Sequence, residues 1–318
     1  MTTLTHDHIA DHSRLDAGLG LLCGFGAYLI WGGVFPVFFK ELGSVPLLQI
    51  VSHRIAWSLV FLLLFLNVRR SRWQGVLQAL GDGKSLLILA TTAVLIAANW
   101  LLFIFAIVKG QILQASLGYF ITPLMNVLLG LVFLHERLSR LQLVSLLLAA
   151  AGVGIATVRY EGIPWIALVL ALSFACYGLL RKVVKADALA GLTVETALLT
   201  PVAVAYLLWA AWQGNGAFPA AGWKIDAFLV AAGVLTAVPL LLFAAAARKL
   251  RLATVGFLQY LAPTLQFLLA VFVYGEDFTA LQLVSFVFIW SSLLCYSLDA
   301  WQTLAGQRKK ISCAPARC

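Results

Sequence analysis

Long runs of apolar residues alternate with short polar segments along almost the whole 318-residue chain. A helix needs ~20 mostly apolar residues to cross a hydrocarbon core of ~30 Å, whereas a barrel strand has about ten residues of alternating polarity. The runs have the longer form without alternation, so they predict ten membrane-spanning helices. The predicted spans are Ala17–Phe39, Leu47–Leu66, Leu86–Val108, Leu113–Leu134, Leu141–Val158, Pro164–Leu180, Leu192–Trp212, Ala227–Ala246, Leu252–Tyr274 and Leu281–Leu298.

One pattern of residues occurs twice, and its two copies lie 140 residues apart. A proline, a glutamate and the run Leu-Gln-Leu-Val-Ser follow at equal spacing in both: Pro123, Glu136 and 141–145, then Pro263, Glu276 and 281–285. Each copy belongs to a unit of five spans, and an odd number inverts the second unit relative to the first. Inverted repeats are typical of secondary transporters. The predicted fold is an all-α polytopic membrane protein with two inverted five-helix repeats, at 17–158 and 164–298.

The composition and the charge distribution agree with a membrane protein. Apolar residues make up 62% of the chain and charged residues 11%, against about half and a quarter in soluble domains. With a cytoplasmic N-terminus, seventeen Lys and Arg residues, Arg181 among them, lie in cytoplasmic segments and four in outer loops. Only Arg54 then lies inside a span. This asymmetry predicts that both termini are cytoplasmic. The net charge of +9 is thereby explained by membrane topology, without a nucleic-acid partner.

The two ends of the chain are polar, and we interpret 1–16 and 299–318 as cytoplasmic tails. The N-terminal tail carries His6, His8 and His12 beside two aspartates. These side chains are good metal ligands, but a solvated disordered tail also has this composition. The five cysteines show no metal-binding spacing, and we expect free thiols. No metal or cofactor is expected elsewhere.

Polar residues recur on one face of the fourth and ninth predicted helices. Each helix has two of them, one on either side of a proline, at i, i+4 and i+7: Tyr119, Pro123 and Asn126, then Gln259, Pro263 and Gln266. Thr122 and Tyr260 lie beside them. The two sets differ by the repeat offset of 140. A proline inside a helix bends it and frees a carbonyl group. We therefore expect the two faces to line one central substrate cavity; interhelical hydrogen bonds in a packed bundle are the alternative.

Ionisable residues within spans are costly and are functional candidates. His53 and Arg54 lie about seven residues inside the second span, in its outer third, and Glu195 lies near the inner end of the seventh. One hypothesis is that these groups couple transport to a proton gradient. The other is that Arg54 and Glu195 extend to the headgroups or form structural pairs.

Aromatic residues mark a second candidate surface for the substrate cavity. Tyr28 and Trp31 lie on one face of the first helix, and Tyr177 lies in the sixth. Asn99 and Trp100 fall near the middle of the third, too deep for an interfacial anchor. This combination suits a flat amphipathic ligand, or simple packing.

No catalytic motif is visible, and no segment is long enough for a soluble domain. A membrane-embedded enzyme would need a catalytic set on facing helices, for which His53 and Glu195 are the only candidates. A membrane sensor would need a cytoplasmic domain or a long docking tail. Both classes therefore rank behind a transporter, whose transport is either driven by a gradient or facilitated.

Six segments carry a resemblance to a known family: 28–32, 53–58, 99–103, 118–123, 173–178 and 256–264. They resemble the RarD group of EamA-type permeases, in the drug/metabolite transporter superfamily, and the similarity extends from about 17 to 298. Thr122 stands where the family pattern has Asn. The resemblance implies a permease of the bacterial inner membrane that exports a small metabolite, amino acid or drug by alternating access, with a homodimer as one possible assembly. The group is often labelled by chloramphenicol sensitivity, which does not identify a physiological substrate.

Overall fold

The computed structural model describes residues 2–68, 72–109, 111–157, 164–219, 222–275 and 279–312, and all regular structure in these ranges is helical. The α-helices are α1 Thr2–Leu29, α2 Phe35–Lys40, α3 Leu47–Val68, α4 Trp73–Gly81, α5 Gly83–Val108, α6 Ile112–Phe133, α7 Arg140–Thr157, α8 Trp165–Val183, α9 Ala188–Trp212, α10 Trp223–Lys249, α11 Leu252–Gln259, α12 Leu261–Leu268 and α13 Ala280–Ser312. π-Helical turns at Ile30–Val34 and Leu269–Val273 adjoin α2 and α12.

Ten helices within the described ranges are long and apolar enough to cross a membrane. They coincide with the ten predicted spans to within a few residues at most ends, so the prediction of an all-α polytopic membrane protein is confirmed. The first span consists of α1, a π-helical turn and α2, and the ninth consists of α11, α12 and a second π-helical turn. The first turn packs closely against α12, because a Cβ on Gly32 would lie 2.7 Å from the Ala262 Cα.

The two prolines of the repeat, Pro123 and Pro263, differ in their effect on the backbone. Helix α6 continues through Pro123, whereas the ninth span is interrupted at Tyr260, between α11 and α12. Pro263 has no N–H to donate to the carbonyl four residues earlier, which belongs to Gln259. At the same point the Tyr260 N–H bonds to the Phe257 carbonyl, three residues earlier, at 3.2 Å, so the backbone forms a tighter turn there. A proline thus interrupts only one of the two spans.

Several of the strongest helix contacts have a counterpart when the two halves are exchanged. Equivalent spans pair directly in three places, where α3 packs on α9, α6 on α11 and α7 on α13. The contacts of α1 with α10 and of α5 with α8 are each other's counterparts under the same exchange. This is the pairing expected of two equivalent five-helix units around a two-fold axis. The inversion of the second unit stays a prediction.

The repeated glutamate has a structural role in the first half. The Glu136 carboxylate accepts hydrogen bonds from the backbone N–H groups of Leu252 at 2.6 Å and Ala253 at 3.0 Å. It therefore caps the start of α11 with a negative charge, where the free N–H groups and the helix dipole favour one. The contact joins the end of the fourth span to the start of the ninth. Glu276, its counterpart, lies outside the described residues.

Three segments differ from the sequence-based expectations. The connector between the second and third spans contains helix α4, whose buried Val76 and Ala79 join the central core. Helix α1 begins at Thr2 and α13 ends at Ser312, so the described backbone of both predicted tails is helical. The side chains of His6, His8 and His12 lie outside the described set, so the metal hypothesis is untested. Among described residues no group of three metal-ligating side chains occurs.

Candidate functional site

Arg54 lies inside the helix bundle and is surrounded by aromatic rings. Its Nε donates a hydrogen bond to the Thr236 Oγ1 at 2.8 Å, which joins α3 to α10. The guanidinium carbon lies 4.9 Å from the ring centroid of Trp100, 5.1 Å from Phe39 and 5.6 Å from Phe35. The side chain is partly exposed, and no ion pair joins it to a carboxylate of the described chain. We call this group the Arg54 box.

A second cation, Arg181, forms a buried pair with Glu195. Its Nη1 lies 3.5 Å from the Glu195 Oε1, and both side chains are at most 2% exposed. Thr92 donates to the same carboxylate at 2.6 Å, and the Tyr177 hydroxyl donates at 3.3 Å. Arg181 also donates to the Ala188 carbonyl at 3.0 Å. Each oxygen of Glu195 therefore has a polar partner, as a buried charge requires.

The placement of Arg181 corrects the sequence analysis, which counted it among the cytoplasmic loop cations. Arg181 lies within α8 and is fully buried, so Arg54 is not the only cation inside a span. The sequence did not indicate this burial, because an arginine near the end of a span normally extends to the headgroups. The acid that holds it inward is Glu195, fourteen positions away on the next helix. The structural-pairing hypothesis for Glu195 therefore has a specific partner.

A small internal cavity lies beside the buried pair. It has room for about one water molecule, and Trp100, Tyr177, Glu195 and Thr236 contribute to its walls. Two of these residues, Trp100 and Thr236, also contact Arg54. The sequence places Arg54 and Glu195 in opposite thirds of the membrane. In the folded chain Glu195 lines this cavity, and Arg54 is linked to it through Trp100 and Thr236.

Aromatic residues predicted for the substrate cavity do come together. Trp31 packs against Tyr28 with ring centroids 5.6 Å apart, and both contact Phe243, at 5.8 and 6.4 Å. Tyr177 stacks on Phe243 at 5.9 Å, and Phe174 lies 5.2 Å from the same ring. Phe243 is thus the centre of the cluster. The sequence gives no sign of this, because a single Phe in an apolar helix does not stand out.

The predicted polar face of the fourth and ninth spans is divided between two environments. Asn126 is fully buried and donates a 2.9 Å hydrogen bond to the Gln259 Oε1. Tyr119 is 42% exposed, packs on Phe103 at 6.0 Å and lies near enough to Arg54 for an electrostatic interaction. Gln266 is partly exposed, and its amide lies 3.4 Å from the Trp31 carbonyl. These are separate contacts rather than one continuous face.

Other candidates are held by hydrogen bonds between or within helices. Asn99 donates to the Leu170 carbonyl and to the Ser173 hydroxyl, both at 2.9 Å, and so joins α5 to α8. Thr122 donates to the Gly118 carbonyl at 2.7 Å, inside its own helix. Tyr260 is 1% exposed, and its hydroxyl donates to the Phe120 carbonyl at 3.3 Å. Each of these contacts also has a packing role.

His53 lies next to Arg54 but faces different neighbours. Its buried imidazole packs on Phe218, with ring centroids 5.5 Å apart, beneath the outer loop that follows α9. Asp226, in the first turn of α10, is near enough to interact with the imidazole electrostatically. The Asp226 Oδ1 is buried and has no hydrogen-bond partner among the described residues. The sequence analysis missed this acid, because it stands at the start of a helix in an apparent loop.

Comparison with known proteins gives the family. The model of the EamA-like transporter family matches residues 18–158 and again 162–298. An uncharacterized transporter of Vibrio cholerae is 46% identical over 89% of this chain and 93% of its own length. Protein RarD of Escherichia coli is 43% identical over 89% of this chain and 95% of its own.

A solved crystal structure shares the fold, with a TM-score of 0.61, 19% identity and coverage of 89% of this chain and 98% of that one. At that identity the likeness concerns the fold alone. The sequence identity of 43% to 46% to the two bacterial relatives, over 89% of this chain, is high enough to assign the chain to their family. The protein belongs to the EamA-like transporter family and, within it, to the RarD group of the drug/metabolite transporter superfamily.

Proposed function

We propose that this protein is a secondary transporter that exports a small metabolite, amino acid or drug across the bacterial inner membrane by alternating access. The observation that carries the proposal is that Thr236 contacts Arg54 and also lines a small internal cavity with Glu195, so that two ionic groups within the membrane lie beside one internal space. Ionisable groups inside a membrane bundle mark substrate or ion pathways.

Alternating access requires that one side of the bundle opens while the other closes. The Arg181–Glu195 pair serves as a closing contact for one side in this proposal, since its groups lie on different helices, α8 and α9, and Glu195 contributes to the cavity wall. The Arg54 box lies on the opposite side of the same cavity and is only partly closed, because Arg54 and Tyr119 retain exposed surface. The substrate cavity in this proposal comprises the predicted residues together with Thr236.

The coupling groups in this proposal are His53, Arg54 and Glu195. His53 is the best candidate for a proton carrier because imidazole alone titrates near working pH without special surroundings. The nearby carboxylate of Asp226 provides an acid that can stabilise a protonated His53. Both termini face the cytoplasm in this proposal, and the two halves are inverted repeats, as the charge asymmetry and the odd number of spans indicate.

Inverted inner-membrane vesicles test the transport function. Vesicles with the protein and vesicles from a null strain are incubated in a small-molecule extract of the host cells, with and without a proton gradient. We expect at least one compound to accumulate inside only when both the protein and the gradient are present. The matched control carries Leu128→Ala, at a side chain 49% exposed on the bundle surface. Identical contents in all vesicles would contradict the transporter proposal.

A further inference from the structure

We infer that the Arg54 box is a binding site for the carboxylate group of the substrate, so that the transported compound is a small organic acid or zwitterion. This inference rests on the proposed transport function and names the chemical class of its substrate. It depends on three observations: a charge without a counter-ion, unused hydrogen-bond donors, and exposed surface beside them.

Arg54 carries a positive charge that the described chain leaves without a counter-ion. A guanidinium stays protonated in proteins, and a charge inside the membrane is costly unless it is paired. The groups around Arg54 come from α2, α5, α6 and α10, so it lies inside the bundle rather than at the lipid surface. Arg181 shows how the same side chain is placed for a structural role, with Glu195 at 3.5 Å and full burial. No acid of the described residues is placed against Arg54 in this way.

The contacts that Arg54 does make leave most of its donors free. A guanidinium has five N–H groups in a plane. Only Nε has a hydrogen-bond acceptor in the described chain, the Thr236 hydroxyl. The rings of Phe35, Phe39 and Trp100 interact with the cation through their faces and accept no conventional hydrogen bond. The terminal N–H pair remains for a carboxylate, which a guanidinium binds with two parallel hydrogen bonds.

The surroundings also limit what else the site accepts. Arg54 is partly exposed, and Tyr119, which is 42% exposed, is close enough to interact with it electrostatically. The three rings exclude water from the other faces of the cation, which strengthens a charge-assisted hydrogen bond. A cationic compound would meet an uncompensated positive charge. An anion with a small apolar body satisfies both the charge and the rings.

Arginine modification tests the site in the wild-type chain, so the result does not depend on the folding of a variant. The purified protein is treated with phenylglyoxal, with benzoate or its uncharged analogue benzamide as probe, and each modified arginine is identified by mass spectrometry. We expect Arg54 to react, the buried Arg181 to stay unmodified and the exposed Arg72 to react under all conditions. Benzoate should slow the reaction at Arg54 about tenfold, and benzamide should not.

The same reaction in detergent and in phospholipid vesicles separates two sources of the anion. If a lipid headgroup phosphate occupies the box, Arg54 reacts in detergent but is protected in vesicles, and benzoate adds nothing. That result would overturn the inference, and so would equal protection by benzamide or no reaction at Arg54. Protection by benzoate in both media supports it.

Transport by Arg54→Gln and Arg54→Lys completes the test. Arg54→Gln should reduce accumulation of carboxylates in the vesicle assay about tenfold or more, and Arg54→Lys should retain part of it because the charge remains. If wild-type vesicles accumulate only neutral or cationic compounds, equally with Arg54→Gln, the inference fails while transport stands. If benzoate protects Arg54 but nothing is transported, the site stands and the proposed function fails.

Discussion

Asn126 and Gln259 are joined by a hydrogen bond of 2.9 Å across the interface between the two halves of the protein. Each belongs to the polar face predicted for its helix, and together they connect α6 to α11. A close approach makes the bond possible, because Gly256 lies where a Cβ would stand 2.7 Å from the Pro123 carbonyl oxygen. The Asn126 Oδ1 has no partner among the described residues, so this amide is left with a free acceptor.

The first prediction concerns this bond. Asn126→Ala and Gln259→Ala should each lower the free energy of unfolding. The loss of stability in the double variant should be smaller than the sum of the two single losses by about 0.6 kcal/mol, as for interhelical hydrogen bonds in membranes. Reversible unfolding in mixed micelles measures the three values. Strict additivity of the two substitutions would show that the bond contributes no coupling energy.

The second prediction concerns access to the cavity. Single cysteines in place of Tyr119, Asn126, Gln259 and Gln266 should react with a small water-soluble thiol reagent. Tyr119→Cys should react fastest because its side chain is 42% exposed, and Asn126→Cys slowest because that side chain is fully buried. Leu128→Cys and Leu268→Cys are the controls, since we expect their side chains to face lipid. If all four test positions are as inert as the controls, the region is a packed interface and not a cavity.

A third prediction tests the packing of α3 against α10. A Cβ on Gly233 would lie 2.4 Å from the backbone carbon of Trp57, so Gly233→Ala must push the two helices apart. The cost should be about 1–3 kcal/mol of stability, as for overpacked cores. Gly154→Ala is the matched control because no atom lies within 4 Å of the added carbon. Equal thermal stability of the two variants would contradict the close contact.

The fourth prediction concerns energy coupling. His53→Gln should abolish accumulation of substrate against its gradient while exchange across the membrane continues, because a glutamine amide cannot carry a proton. Asp226→Asn should weaken accumulation in the same assay, since it removes the carboxylate near the imidazole. Normal accumulation by His53→Gln would assign His53 a structural role against Phe218.

A fifth prediction concerns topology. Reporter fusions at the C-terminus and in the outer loop after α9 should lie on opposite sides of the membrane, because the charge asymmetry places the first in the cytoplasm. A fusion in the connector that contains α4 is the control and should match the C-terminus. The same side for the first two fusions would exclude both the topology and the inverted repeat.

The sequence by itself determined the ten spans and the family, and it predicted the two-unit plan. Span prediction is local, because a backbone inside a hydrocarbon core must satisfy its own hydrogen bonds and its apolar length is fixed by the bilayer. It also pointed to Arg54 and Glu195, since an ionisable residue within an apolar run is conspicuous. The amphipathic helix α4 escaped it, because its nine residues are too few for a span.

Only the tertiary structure decided what each polar side chain contacts. Arg181 lies near a helix end, where an arginine normally extends to water, and an acid on the next helix holds it inside. Thr236, Phe243 and Asp226 are unremarkable in sequence, and contacts with residues on other helices give them their roles. The apolar pattern fixes which residues enter the membrane, but the rotation of each helix about its axis is set by packing against its neighbours. That rotation gave Arg181 an acid, whereas no acid in the described ranges pairs with Arg54.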